Sequence, residues 1–166
     1  LFNVASLEAM HEKMRSLIKQ AGGQISMIVY CPHGPEDGCE CRKPLPGLFQ
    51  QIADYFHVSL ADVPTVGDSL RDLQAGASLG CKPFLVRTGK GRRTEAQTLP
   101  PGTQVFDSLA DVAEHLLHGL EEHALAAADA EQGLRAVGVV APQQVGLRDE
   151  LRVELLDAMV VPLVDP

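Results

Sequence analysis

The chain has 166 residues, 45% of them hydrophobic and 22% charged, with a formal net charge of −8; that is the make-up of a folded domain with an appendage. No apolar run nears the roughly 20 residues of a membrane span, and no basic-then-apolar start resembles a signal peptide. Trp is absent and aromatics are only 4%, so no basic, aromatic-interleaved stripe for nucleic acid is present.

The charge is lopsided. Residues 1–106 carry 11 Lys/Arg against 10 Asp/Glu, a balance of +1, whereas residues 107–166 carry 3 against 12, a balance of −9. The first part can hold an anionic substrate without fighting its own field; the tail repels one.

Residues 6–21 read as an amphipathic helix, with Leu7, Met10, Met14, Leu17 and Ile18 on one face, Ser6 as cap and Gly22-Gly23 as stop. His11 has no partner at ligand spacing and reads as a surface residue. Ile25 to Tyr30 is a nearly continuous apolar run, consistent with a buried strand. From its carboxyl end leaves the loop Cys31-Pro32-His33-Gly34-Pro35-Glu36-Asp37-Gly38-Cys39-Glu40-Cys41-Arg42-Lys43-Pro44, which holds three of the four cysteines and a histidine within eleven positions. Thiolate and imidazole are the ligands of tetrahedral Zn2+, and four close its shell. Gly34, Pro35 and Gly38 let the loop fold back so that Cys31, His33, Cys39 and Cys41 converge. The alternative is three reduced thiols and a surface histidine, but free cysteines prefer burial and this polar loop offers little apolar cover.

Pro46 suits the start of a second helix, with Leu48, Phe49, Ile52, Tyr55 and Phe56 inward and His57 as a capping cation. Val63 to Val66 is a brief strand that runs into Gly67-Asp68-Ser69. A third helix follows, with Ser69 and Asp72 spaced as a cap pair, Leu70, Leu73 and Leu79 inward, and Gly80 as the stop. Pro83 to Val86 is the next strand, ending in Arg87-Thr88-Gly89-Lys90-Gly91. Residues 89–103 read as a polar loop, Val105-Phe106 as an edge strand, and Ser108 as the cap of a helix through about Leu117. The alanine- and acid-rich residues 121–136 and the Val/Leu/Pro mix of 137–166 make 119–166 an appendage to a domain of residues 1–118.

Strand, loop and helix in repetition imply an α/β fold with a parallel sheet and helices on its faces. Ligands gather at the carboxyl ends of such strands, where three polar sets fall: the cysteine loop with Arg42-Lys43, Gly67-Asp68-Ser69, and Arg87 to Lys90. Arg42 would grip a phosphate with its fork and Lys43 as a point charge. Asp68, after a glycine that permits a sharp turn, suits Mg2+, which takes one or two carboxylates, waters and phosphate oxygens. A lone Gly-Asp-Ser after a strand is more often a turn and helix cap.

Together, the Cys-x-His…Cys-x-Cys-Arg-Lys-Pro loop, the Pro-Gly-initiated helix, Val66-Gly67-Asp68-Ser69-Leu70-Arg71-Asp72 and Leu85 to Gly91 resemble the zinc-containing D-glycero-D-manno-heptose-1,7-bisphosphate 7-phosphatases of the haloacid dehalogenase superfamily. Related histidinol-phosphate phosphatases share the zinc loop. The resemblance covers roughly residues 1–118. It implies a three-layer sandwich with a Rossmann-like parallel sheet, and removal of a sugar 7-phosphate through an aspartyl-phosphate intermediate in lipopolysaccharide-core precursor synthesis. It further implies structural Zn2+ on Cys31, His33, Cys39 and Cys41, and catalytic Mg2+ on Asp68. Lys43 would stabilise charge on the phosphoryl group, Arg42 would recognise substrate, and Ser69 would face metal or substrate.

One departure matters. The family's Asp-x-Asp-Gly, which supplies nucleophile and acid–base, is absent, as is its Thr-Asn-Gln-Ser segment, as though the opening third had been removed. The expected sheet is therefore incomplete, with unpaired apolar edges that invite self-association, and the chain alone is expected to be inactive. Asp107 and Asp111 belong to a helix start and replace nothing. Two rival readings are a histidinol-phosphate phosphatase and a zinc-stabilised, non-catalytic binding module. The remaining thiol, Cys81, lies far from the loop, which argues against a secreted disulfide framework and for a reducing, cytoplasmic setting.

Overall fold

The computed structural model describes residues 4–119. Its centre is a parallel sheet of three strands in the order β1-β2-β3, formed by Pro64–Gly67 (β1), Lys82–Val86 (β2) and Gln104–Phe106 (β3). Val66 pairs with Phe84, and Phe84 in turn with Gln104. The four apolar residues Pro83 to Val86 are all buried, as expected of a central parallel strand covered on both faces.

Side-chain alternation splits the core in two. On one face Val66, Phe84 and Val86 pack on Val112 and Leu116, with Phe106 alongside, so the helix of residues 109–119 (α5) covers that side. The other face is covered by Leu70–Ala77 (α3) and Gly47–Phe56 (α2), where Phe49, Leu60, Ala75 and Cys81 form the second cluster. Helix α3 lies so close to the sheet that a Cβ on Gly76 would sit 2.7 Å from the Thr65 hydroxyl. Three layers result, as the haloacid-dehalogenase-like reading requires.

Most elements fall where the sequence places them, within a residue or two. Ser69 caps α3 in a reciprocal box with Asp72, and Ser108 with Asp111 repeats that arrangement at α5, its hydroxyl donating to the carboxylate at 2.7 Å. Helix α2 ends at His57 through its backbone in the left-handed region, φ 55°, with the N–H on the Ala53 carbonyl, rather than through a side-chain charge.

Four expectations need correction. Residues 89–103 are not all loop, because Gly91–Glu95 winds into a short helix (α4). Tyr55 and Phe56, expected inward, are 66% and 40% exposed and stack on each other edge to face; α2 reaches the core through the buried Leu48 and Phe49 and the partly buried Ala53. Helix α1 (Val4–Gln20) forms but buries no residue, and Ile25–Tyr30 runs without a ladder, since the outer edge of β1 has no strand partner among the described residues. The two segments instead lean on each other, Arg15 donating to the Ile25 carbonyl at 3.2 Å. His11 is half-buried rather than fully at the surface, its ring 6.0 Å from that of Tyr30 and its Nε2 shielded without a hydrogen-bond partner. The expected appendage lies, from residue 120 on, outside the described residues. Among the described residues no helix is long and apolar enough to cross a membrane.

Candidate metal and phosphate site

The loop after Tyr30 brings its four donors together. The Sγ atoms of Cys31, Cys39 and Cys41 and a ring nitrogen of His33 all lie within 4.8 Å of one another. Individual separations are 3.6 Å for Cys31–Cys39, 3.3 Å for Cys31–Cys41 and 3.1 Å for His33 Nδ1–Cys41. A tetrahedral ion with the bond lengths of zinc holds its donors roughly 3.5–3.8 Å apart, so the four donors, two pairs of them slightly closer than that, cluster tightly enough to close on one ion. The turn that allows this has Gly38 at φ +64° and the Gly34 N–H on the Asp37 carboxylate at 2.7 Å.

Crowding of the sulfurs also shifts the thiols of the loop. Burial, then the adjacent Cys31 and Cys39 sulfurs, push Cys41 up to about 12. At Cys39 burial also works to raise the value, but hydrogen bonds from Cys41 and Cys31 and from backbone amides outweigh it and the thiol is lowered. Crowded sulfurs share one negative charge readily and three only around a cation.

Arg42 and Lys43 leave the loop in different directions. The Arg42 guanidinium donates to the His33 carbonyl at 2.8 Å, bracing the ligand loop from behind. Lys43 turns inward, and its ammonium lies 2.7 Å from Asp72 Oδ1, the two side chains only 4% and 8% exposed. The other oxygen, Asp72 Oδ2, accepts the Ser69 hydroxyl at 2.7 Å and the Ser69 N–H at 3.1 Å. One carboxylate thus ties the cysteine loop to the amino end of α3. Gly67 is required beside it, because a Cβ there would overlap the Asp72 side chain.

Asp68 sits between β1 and α3, half-buried. Its Oδ2 accepts the Lys90 N–H at 2.8 Å, and its main-chain carbonyl accepts the Thr94 hydroxyl at 2.8 Å. Oδ1 has no hydrogen-bond partner among the described residues, leaving an oxygen for a hard cation that completes its shell with water and phosphate. The three polar sets read from the sequence therefore meet: the first joins the second through Lys43–Asp72, and the second joins the third through Asp68–Lys90.

Asp72, Glu95 and Thr94 are the residues that sequence reasoning missed here. Asp72 reads as a helix cap alone; Lys43 has Glu40 close by in sequence, and nothing in the spacing marks Asp72 as the acid that it meets. Arg87 reads as part of a ligand set, yet its fork is taken by Glu95 at 2.9 and 2.7 Å and by Asp107 at 2.9 Å, which holds Glu95 below the usual carboxylate range.

Comparison with known proteins places this geometry. A family model described as "HAD-hyrolase-like" matches residues 40–112. A D-glycero-beta-D-manno-heptose-1,7-bisphosphate 7-phosphatase from Bordetella bronchiseptica is 58% identical over 118 residues, covering 70% of this chain and 66% of that protein. One of the same name from Neisseria meningitidis serogroup A is 47% identical over 131 residues, covering 77% and 68%. The crystal structure of D,D-heptose 1,7-bisphosphate phosphatase from B. bronchiseptica, complexed with magnesium and phosphate, superposes with a TM-score of 0.69 at 57% identity, over 71% of this chain and 66% of that one. The chain thus spans about two-thirds of the length of these relatives. Fold and relatives agree: the chain belongs to the D-glycero-β-D-manno-heptose-1,7-bisphosphate 7-phosphatase family of HAD-like hydrolases.

Proposed function

We propose that this chain forms the metal-anchoring and charge-stabilising part of a phosphatase that removes the 7-phosphate of D-glycero-β-D-manno-heptose 1,7-bisphosphate. The observation that carries the reading is the meeting of Lys43 and Ser69 on Asp72 at the strand ends, with Asp68 next in the chain to Ser69 and a four-donor loop beside them, in a chain whose relatives bear that name. The names of those relatives also support the heptose ester over histidinol phosphate.

Zn2+ on Cys31, His33, Cys39 and Cys41 is structural: it stiffens the loop that delivers Arg42 and Lys43. Mg2+ on Asp68, supported by the magnesium and phosphate in the Bordetella relative, supplies positive charge beside the phosphoryl oxygens. Asp72 keeps the Lys43 ammonium at the strand ends, where it offsets charge that grows on the transferring group. Arg42 recognises substrate while bracing His33, and Ser69 faces the metal or the substrate. Free thiols throughout the described residues support a reducing, cytoplasmic setting.

These 166 residues contain no Asp-x-Asp, so the nucleophile and the acid–base of that reaction are not among them. The test joins the first third of the Bordetella relative ahead of Leu1 and compares it with the chain alone. The joined protein is expected to release phosphate from the heptose bisphosphate in preference to histidinol phosphate, and to lose this activity with Asp68→Asn; the chain alone is expected to release none. A folded, zinc-loaded joined protein without turnover on the bisphosphate would sink the proposal, as would ordinary turnover by the chain alone.

A further inference from the structure

The carboxyl end of β2 carries a clamp that the reading above leaves unused. Arg87 grips Glu95, the last residue of α4, in a two-pronged fork at 2.9 and 2.7 Å. Planar bidentate pairing of this kind fixes direction as well as distance. It closes the turn of residues 87–95 on itself, and a third guanidinium nitrogen pins the same arginine to Asp107 at 2.9 Å.

The closed turn lies against Asp68 from two sides. Gly89, at φ +58°, comes so near that a Cβ would overlap the Asp68 carboxylate. The next N–H, that of Lys90, donates to Asp68 Oδ2 at 2.8 Å. Thr94, only 3% exposed, sends its hydroxyl to the Asp68 carbonyl at 2.8 Å. Both the side chain and the backbone of Asp68 are therefore set by the turn, and the turn by Arg87–Glu95. A carboxylate that must present one oxygen to a cation gains from being held by the other.

We propose that Arg87, Glu95 and Thr94 are positioning residues: by closing the 87–95 turn over Asp68 they orient its carboxylate towards the metal. The inference rests on Asp68 being the magnesium ligand of the proposed phosphatase. A purely structural surface pair would alter unfolding and leave Asp68 untouched.

The test uses the full chain loaded with Zn2+, with two readouts at each variant: hydrogen exchange of the Lys90 amide, and amide shifts of residues 67–69 on titration with Mg2+ alone. Glu95→Gln and Thr94→Val are expected to speed Lys90 exchange and to weaken the Mg2+ response about 10-fold, the usual cost of removing a group that orients a ligand. Asp107→Asn, which breaks only the exposed arm, is expected to stay within about two-fold. Thermal melts confirm folding, and should Glu95→Gln fail to fold, Thr94→Val decides, since it removes only the hydroxyl's contacts with the Asp68 carbonyl and, at 3.4 Å, the Lys90 carbonyl and leaves the ion pair. Unchanged Lys90 exchange and unchanged Mg2+ response in folded Thr94→Val overturn the inference. Asp68→Asn separates the two ideas: if it leaves the Mg2+ response intact, the metal role of Asp68 falls, and Lys90 exchange alone then judges whether the clamp orients the carboxylate.

Discussion

Removing Asp72 should be among the most damaging single changes in this chain. The Lys43 ammonium and the Asp72 carboxylate lie 2.7 Å apart and nearly dry. At an effective dielectric of about 20 their attraction is about 6 kcal/mol, but withdrawing each ion from water costs several kcal/mol, so the net worth of the intact pair is small. Deleting one partner is different, because the other charge stays buried with this 2.7 Å contact gone, at a cost of about 3–5 kcal/mol. Asp72→Ala also strips the box from α3, where both Ser69 bonds end on Asp72 Oδ2, for about 1 kcal/mol more. The total, about 4–6 kcal/mol, rivals the whole stability of many domains, roughly 5–15 kcal/mol. Urea unfolding at fixed Zn2+ measures it. Lys43→Met alone should cost about 3–5 kcal/mol by stranding the carboxylate, while Lys43→Met with Asp72→Asn should cost much less than the two single losses together. If the double variant is as unstable as the sum of the singles, the pair is not the coupled buried unit described here and the reasoning fails.

Further outcomes can be checked alongside. Cys39→Ser should lose the bound Zn2+ by elemental analysis and lower stability by about 4 kcal/mol in the presence of excess metal, as expected for loss of a structural ion. Gly89→Ala should destabilise by about 2 kcal/mol or more, from the left-handed backbone and the overlap with Asp68, and denaturant melts will show it. Leu85→Ala, at a fully buried position of β2, should cost about 2–5 kcal/mol in the same melts. Glu95 is lowered in the folded chain by its hydrogen bonds to Arg87, so the stability it lends is present above the unfolded carboxylate value and lost as pH falls through the folded one. The difference in melting temperature between parent and Glu95→Gln should therefore be full at pH 7 and vanish in acid below the usual carboxylate range; a gap that persists there removes the ion pair as its source.

Much of the site was legible in the sequence because its parts are local. Four donors within eleven positions around Gly34 and Gly38 can converge without help from the rest of the fold, and Ser69 with Asp72 satisfies a helix end over three residues. Strand, turn and helix periods placed β1, β2, β3 and α3 within a residue or two for the same reason. Inward faces were less secure. A helical stripe says which residues share a side and not whether anything covers that side, which is why Tyr55, Phe56 and the apolar face of α1 lie more open than their spacing suggests.

What only the tertiary structure decided are the contacts between segments far apart in sequence: Lys43 with Asp72, Asp68 with Lys90 and Thr94, and Arg87 with Asp107. No periodicity announces them, since a charge at a strand end can meet any opposite charge that the parallel crossover brings beside it. Composition and spacing name the donors and charges this chain offers; the packing of three strand ends side by side determines which acid meets the lysine and which is held by the 87–95 turn.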